Sequence, residues 1–537
     1  MPTHVQMKGG NSALAKGAGQ PLPAVAIGFV HVEENYRRLF GEMFLTVLLS
    51  IRTEMVAGMQ IPTVDCYPIG GNKLDLRGAG LGIRYNNKSK GEKRNPHDFH
   101  YDDAMNEMWR KASNLADKTP ATRNRSADLL RALSILAVVL GHLLLAAPFM
   151  DADGAHLDHL LARSPWTHWL TWCFQVMPVF FFVGGFSNGI TWDAALRSHK
   201  SYSDWLGTRL ARLLLPVLVL LVFWTLTASI AHLAGVPAEM IRVGSQVALI
   251  PTWFLAVYCL VVLLTPLTRG AWKRWGASTI WVLVALSILG DLAYFQWDLR
   301  ILGWGNYLFV WLAVHQLGYA WLDRTGTSRG TSWACFVGGF LLLLAMVKWG
   351  PWPRSLVGVP GAEISNTTPP HLPLLALAAF QFGAVLLFEK RINRFLQNAR
   401  AWTATVLVNG VIMTVFLWHS TAMMLLFGLA ILLGGVGLDP TPGEMDWWVM
   451  RLPWLAVLMA GLLPFVGLFS RFERAVSANH SFPSAWRLVP GTLIACGGLA
   501  LLAFHGIGGD GPLGLRIEAL VLPFLGLAFA GLLSPKH

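Results

Sequence analysis

From Leu129 to its C-terminus the chain is a succession of apolar runs of about twenty residues, the length an α-helix needs to cross the hydrocarbon core of a bilayer. About twelve such runs are readable, near 129–149, 169–190, 213–234, 247–267, 277–296, 300–321, 332–349, 372–389, 402–435, 449–469, 488–506 and 517–534. Only 13% of the residues are charged and 54% are hydrophobic, whereas a soluble surface needs roughly a quarter charged. The expected fold is all-α, a polytopic bundle of about 12 transmembrane helices, with the long ninth run tilted, bent or extended beyond the membrane.

The charges between the runs alternate. One set of loops carries Arg197, Lys200, Arg209 and Arg212, then Arg269, Lys273 and Arg274, then Arg324 and Arg329, then Lys390, Arg391, Arg394 and Arg400, then Arg471, Arg474 and Arg487. The other set is poorer in Lys and Arg and in places acidic, with Asp151, Asp153 and Asp158 in one loop and Asp439, Glu444 and Asp446 in another. Lys and Arg concentrate on the cytoplasmic side of membrane helices, so the expected location is the cell (cytoplasmic) membrane, multi-pass, with the N-terminus cytoplasmic. The formal charge of +12 is spread over these clusters instead of forming one patch or tail, so no nucleic-acid partner is expected; the lipid bilayer is the expected partner.

Residues 1–115 differ from the rest, being Gly- and Lys-rich in places and lacking a signal-peptide pattern at the start. They are expected to be a weakly structured cytosolic region preceding a membrane core at 116–480, with additional C-terminal transmembrane helices at 481–537. The GAGLG of Gly78 to Gly82 has no strand before it or helix after it and is not read as a phosphate loop. Five scattered cysteines, Cys66, Cys173, Cys259, Cys335 and Cys496, suggest neither a disulfide framework nor a metal site, but buried thiols without partners.

The first run, LLRALSILAVVLGHLLLAAPF, carries an arginine and a histidine. At about 100° and 1.5 Å per residue, the steps from Arg131 to His142 return to nearly the same face, roughly 16 Å further along. Asp128, three residues before Arg131, is placed to pair with it. An ionisable group deep in a bilayer is costly and faces a cavity or a partner. The expectation is a polar stripe with Arg131 at the cytoplasmic boundary and His142 near mid-membrane, both lining one wet cavity. Taken singly, a boundary arginine also serves as a snorkelling anchor, and an intramembrane histidine as an interhelical hydrogen-bonding group.

RALSILAVVLGH within its DxLR lead-in resembles the first helix of the acyltransferase 3 family of integral membrane acyltransferases, with its R-x10-H arrangement. PVFFFVGGFSNG is similar to the family's aromatic-rich FFxxSGF segment, and RLARLLLP, WFLAVYCL and FLWH follow in the family's order. The resemblance covers roughly Asn124 to Arg471. Where the family commonly has Ser-Gly this chain has Gly184-Gly185, so any role of that hydroxyl is absent or moved to Ser187. The resemblance implies a ten-helix core followed by two extra helices, and transfer of an acyl group, commonly acetyl, from acyl-CoA to a hydroxyl of a glycan, glycolipid or other small acceptor. Acyl-CoA enters as donor substrate and no bound cofactor is expected. Arg131, Arg209 and Arg212 are then the cations for its phosphates, and His142 is the candidate base that takes a proton from the acceptor.

Among the other polar residues in the runs, His419 in VIMTVFLWHS is a candidate to bind the acceptor or orient His142, and His315 in WLAVHQLGYAW is a supporting candidate. GFSNG matches the G-x-S-x-G pattern of hydrolases, but no strand leads into it; packing of small residues such as Gly185 between helices explains it better. Asn366, in the Pro-stiffened ISNTTPPHL, is a candidate for the acceptor mouth. The acidic loop from Asp151 to His159 has residue types that bind metals but no fixed tetrahedral set, and no metal is expected. The rival function is a proton-coupled secondary transporter or lipid flippase using the histidines as a relay, which paired inverted repeats would favour; a catalytically inactive scaffold is a third reading.

Overall fold

The computed structural model describes residues 101–120, 123–473 and 482–533; expectations for residues 1–100 lie outside these. The described chain is predominantly helical, as a bilayer demands, because hydrocarbon offers no partner for backbone N–H and C=O groups and a helix satisfies them internally. In order come α1 (Tyr101–Asp117), α2 (Arg125–Leu145), the strands β1 (Ala146–Asp151) and β2 (Gly154–His159), α3 (Met177–Arg197), α4 (Tyr202–Leu233), α5 (Ala238–Leu249) and α6 (Pro251–Leu263). There follow α7 (Thr265–Trp275), α8 (Ser278–Phe295), α9 (Asn306–Asp323), α10 (Arg329–Trp349), α11 (Pro373–Phe395), α12 (Ala399–Asn409), α13 (Ile412–Leu432), α14 (Met445–Glu473), α15 (Ala485–His505) and α16 (Ile517–Phe529).

Every expected run contains a helix, but among the described residues nine helices are long and apolar enough to cross a membrane, or ten if α5 and α6, bent by 48°, form one span. Two runs fall short for different reasons. α9 carries Asn306, His315 and Gln316 in its buried face, and α16 has only 13 residues. The ninth run is two helices, α12 and α13, parted at Gly410. The fold is nonetheless the expected all-α polytopic membrane bundle.

Two boundaries differ from expectation. α1 is helical through a stretch expected to be weakly structured: Ala112 and Ala116 are buried, and Trp402 Nε1 on α12 donates to the Ala116 carbonyl at 3.3 Å. The first membrane helix ends at Leu145 instead of running to Phe149. Pro148 disfavours helical geometry at Ala147 before it, and Ala146–Asp151 pairs antiparallel with Gly154–His159 as a hairpin. Met150 N donates to the Leu438 carbonyl at 2.9 Å, tying the hairpin to the loop before α14.

One close crossing is α3 on α9. A Cβ on Gly185 would run into the His315 carbonyl and Gly318, and one on Gly318 into the backbone of Phe182 and Phe186, so two glycines bring the backbones together. At the end of the bundle where α3 finishes, Arg269 on α7 is buried, bonded to Asp193 at 2.7 Å and to Asp323 at 2.6 and 2.8 Å. A residue read as a loop charge is thus the centre of an ion network joining α3, α7 and α9. Cys259 on α6 and Cys496 on α15 are both buried free thiols.

Candidate active site

α2 begins with Asn124, whose side chain accepts from Ala127 N at 3.3 Å, satisfying one of the N–H groups that a helix start leaves free. α13 begins against the end of α14: Glu473 accepts from Met413 N at 3.0 Å, Thr414 N at 3.1 Å and Thr414 Oγ1 at 2.9 Å, a carboxylate at the positive end of a helix. With both helix starts fixed, His142 in the last turn of α2 and His419 in the second turn of α13 meet inside the bundle. The ring centres are 5.0 Å apart with planes inclined by 26°, and His142 Nδ1 lies 2.8 Å from His419 Nε2.

The protons of this pair follow from its third member. His419 Nδ1 is 2.7 Å from the Phe416 carbonyl, which can only accept, so Nδ1 carries the hydrogen. In the neutral pair His419 Nε2 is then an acceptor, and His142 Nδ1 donates to it. One nitrogen remains: His142 Nε2 keeps its lone pair and makes no hydrogen bond among the described residues. Ser420 Oγ, 3.3 Å from His419 Nε2, adds a weaker donor to the same acceptor.

His419 is fully buried, whereas His142 lines a cavity of about 300 Å³ with Gly141, Phe174, Gln175, Pro251, Phe254 and Phe416. Leu160, Leu161, Val357, Gly358 and Thr367 line the same cavity, so it opens toward the hairpin end. A ligand pocket of this size is at the small end of the usual range: it admits a small molecule or one end of a larger one. A larger groove of about 430 Å³ between α4 and α16 exposes only apolar atoms and contains none of these residues.

Arg131 does not line the cavity, and the expectation that it shares one with His142 is corrected. The two residues do lie along one helix, but α3 covers Arg131: its Nη2 donates to Ser187 Oγ at 2.8 Å. Asp128 accepts chiefly from Arg123, at 2.6 and 3.0 Å, with Arg131 further off at 3.5 Å. His142 is also nearer the hairpin end than mid-membrane, since its helix ends three residues later.

The sequence-named Arg209 and His315 come together with residues not foreseen. Asn188 Oδ1 accepts from Arg209 Nη1 at 2.7 Å, and Asn188 Nδ2 donates to His315 Nε2 at 3.1 Å. Arg209 also bonds Thr191 Oγ1 and stacks on Trp205, and Arg131 and Arg212 are close enough to Arg209 to repel it. Arg212 itself is exposed. Tyr258 on α6 lies against Gly184. An amide in an apolar helix, Asn188 in GFSNG, was the available signal for this cluster.

One turn of α6 separates the cluster from the cavity, because Tyr258 faces the arginines and Phe254, stacked on it at 5.9 Å, lines the cavity. Asn366 lies on neither side. Its Nδ2 donates to the carbonyls of Pro353 and Ser355 at 2.7 and 2.8 Å, closing the loop whose Val357 and Gly358 form the cavity wall. That loop is anchored by Asp291, overlooked in the sequence, which takes His371 Nδ1 at 2.7 Å, Asn306 Nδ2 at 2.8 Å and Trp352 Nε1 at 2.9 Å.

A membrane-embedded bundle with a histidine pair beside an internal cavity defines a polytopic membrane protein with a candidate internal site. A family model described as an acyltransferase domain, acyltransferase 3, matches residues 124–471, well over half of the chain, and the chain belongs to this family of membrane acyltransferases. Neither the curated proteins nor the solved structures yield a match.

Proposed function

We propose that the protein transfers an acyl group, acetyl in the simplest case, from acyl-CoA to a hydroxyl of a glycan, glycolipid or other small acceptor, with His142 as general base. The supporting observation is the tautomer chain: Phe416 carbonyl, His419 and His142 in sequence leave a lone pair on His142 Nε2 in a cavity. The acceptor hydroxyl gives its proton to Nε2 as its oxygen attacks the thioester carbonyl. The C–S bond then breaks, and the departing thiolate takes the proton back from His142, so CoA leaves as the thiol. His419 stabilises the transient imidazolium by accepting its Nδ1 hydrogen.

The donor reading divides the substrate between the two polar regions. Arg131, Arg209 and Arg212 offer positive charge for the CoA phosphates, and the roughly 16 Å along α2 between Arg131 and His142 is a distance an extended pantetheine arm can bridge. The arm would pass the Tyr258–Phe254 turn to bring the thioester into the cavity. The reading places the basic loops and the N-terminus on the cytoplasmic side of the cell membrane, where acyl-CoA is made, with the acceptor entering from the hairpin end.

The test is thiol release from acetyl-CoA by the purified protein with a glycan pool, comparing wild type with His142→Ala. Acceptor-dependent release that falls at least about a hundredfold in a folded variant is expected. Release unchanged by the substitution removes His142 from the mechanism.

A further inference from the structure

Arg451, in the second turn of α14, is only 5% exposed. Its guanidinium carbon lies 4.0 Å from the centre of the Trp447 ring and 5.8 Å from that of Phe427 on α13. Among the described residues no carboxylate pairs with it, and its Nε and Nη1 are enclosed without a hydrogen-bond partner. The indole Nε1 of Trp447 is enclosed and unpartnered in the same way. The nearby acids do not answer the charge: Asp446 is exposed and accepts from the Trp447 backbone N–H at 2.8 Å.

All the unpartnered groups are donors, since neither a guanidinium nor an indole N–H can accept. What would satisfy them must accept several hydrogen bonds, and what would neutralise an enclosed arginine must be an anion. Depth narrows the choice. Arg451 lies about 9 Å along the helix from Met445, just below the loop that carries Asp439 and Glu444, while its neighbours Val449 and Leu452 are 60% and 70% exposed on the apolar surface of the bundle. That is headgroup depth, where phosphates are the abundant anions.

We propose that Arg451 and Trp447 form a phosphate-binding site at the hairpin end of α14. The planar guanidinium matches phosphate oxygens through paired donors, the Trp447 ring holds the guanidinium by its face, and the indole N–H supplies a further donor. None of these residues lines the His142 cavity, so the site stands independently of the proposed reaction. The phosphate belongs either to a phospholipid headgroup or to a soluble molecule, and Trp447 links it to the hairpin, because its ring packs with Ala147 and Leu160.

The full chain, purified in a maltoside detergent that contains no phosphate, is titrated in one arm with phosphatidylglycerol and in the other with sodium phosphate, and native mass spectrometry reads occupancy. Wild type is expected to bind in at least one arm, and the arm identifies the source. Arg451→Gln is expected to weaken that binding about tenfold or more, and Trp447→Phe, which keeps the ring and loses the N–H, by roughly threefold. Binding in neither arm, or affinity in Arg451→Gln equal to wild type, overturns the site. Should Arg451→Gln not elute as a monodisperse protein, Trp447→Phe decides in its place, with unchanged affinity as the overturning result.

Discussion

His419 accepts, through Nε2, the hydrogen that His142 carries on Nδ1, across 2.8 Å, and is itself locked by the Phe416 carbonyl at 2.7 Å. In the proposed reaction His419 is therefore a positioning residue: it fixes which nitrogen of His142 faces the cavity and shares the charge when that nitrogen is protonated. Replacing it with Ala is expected to lower kcat about a hundredfold while KM for either substrate changes by less than about threefold, because the lost interaction strengthens only in the transition state. His419→Gln, whose amide oxygen can accept the same hydrogen, should recover part of kcat. Steady-state kinetics on the three proteins check this; a KM effect larger than the kcat effect contradicts it.

Asn188 and Ser187 are adjacent in sequence but carry unequal loads. Asn188 bridges Arg209 to His315 inside the protein, so Asn188→Leu takes the buried imidazole's hydrogen bond and one of the arginine's, leaving the latter its bond to Thr191, and should destabilise by about 2–3 kcal/mol. Ser187→Ala removes one hydrogen bond to a partly exposed Arg131 and should cost about 1 kcal/mol or less. Thermal unfolding in detergent distinguishes them; equal shifts would mean that Asn188 is not the hub.

Two glycines of similar sequence context should respond in opposite ways. Gly185→Ala drives a methyl into the His315 carbonyl, forcing α3 from α9 at a cost of about 1–3 kcal/mol, seen as a lower unfolding temperature. At Gly141 the nearest atom to an added methyl is Phe174 Cβ at 3.8 Å, ordinary contact, so Gly141→Ala should fold normally. Because Gly141 lines the cavity, its variant should raise KM for the acceptor while that for acyl-CoA stays within about twofold. Loss of stability in Gly141→Ala, or its absence in Gly185→Ala, reverses the assignment of packing and lining.

Hydrophobicity belongs to each residue, so the runs and their helices were legible before any coordinate was known, and so was the anomaly of Arg131, His142, His315 and His419 within them. What could not be read was adjacency. His142 and His419 are 277 residues apart, and periodicity says which face of a helix a residue occupies but not which neighbour covers it. That is why Arg131 and His142, correctly placed along one helix, were wrongly given one cavity: Ser187 of α3 lies over the arginine. Asn366 was legible as a polar group in a stiff loop, yet the amide is spent on two carbonyls of that loop. Asp291 was overlooked although a carboxylate in an apolar run is as anomalous as a histidine, and its partners His371 and Trp352 come from a different segment.

The hairpin that follows α2 should loosen in acid. Burial holds the His159 imidazole down to about 4 from the usual 6.5, and its Nδ1 is enclosed without a partner, so the folded hairpin binds fewer protons than the unfolded segment between those values. A lowered histidine pKa means that stability is complete above about pH 6.5 and is lost as pH falls toward 4. Amide hydrogen exchange across residues 146–159, corrected for the intrinsic pH dependence of exchange, should show protection constant from pH 8 to 7 and about tenfold or more lower at pH 4.5. His159→Phe, which removes the titrating group and keeps a ring, should flatten the profile, and an acid loss undiminished in that variant would rule out His159 as its source.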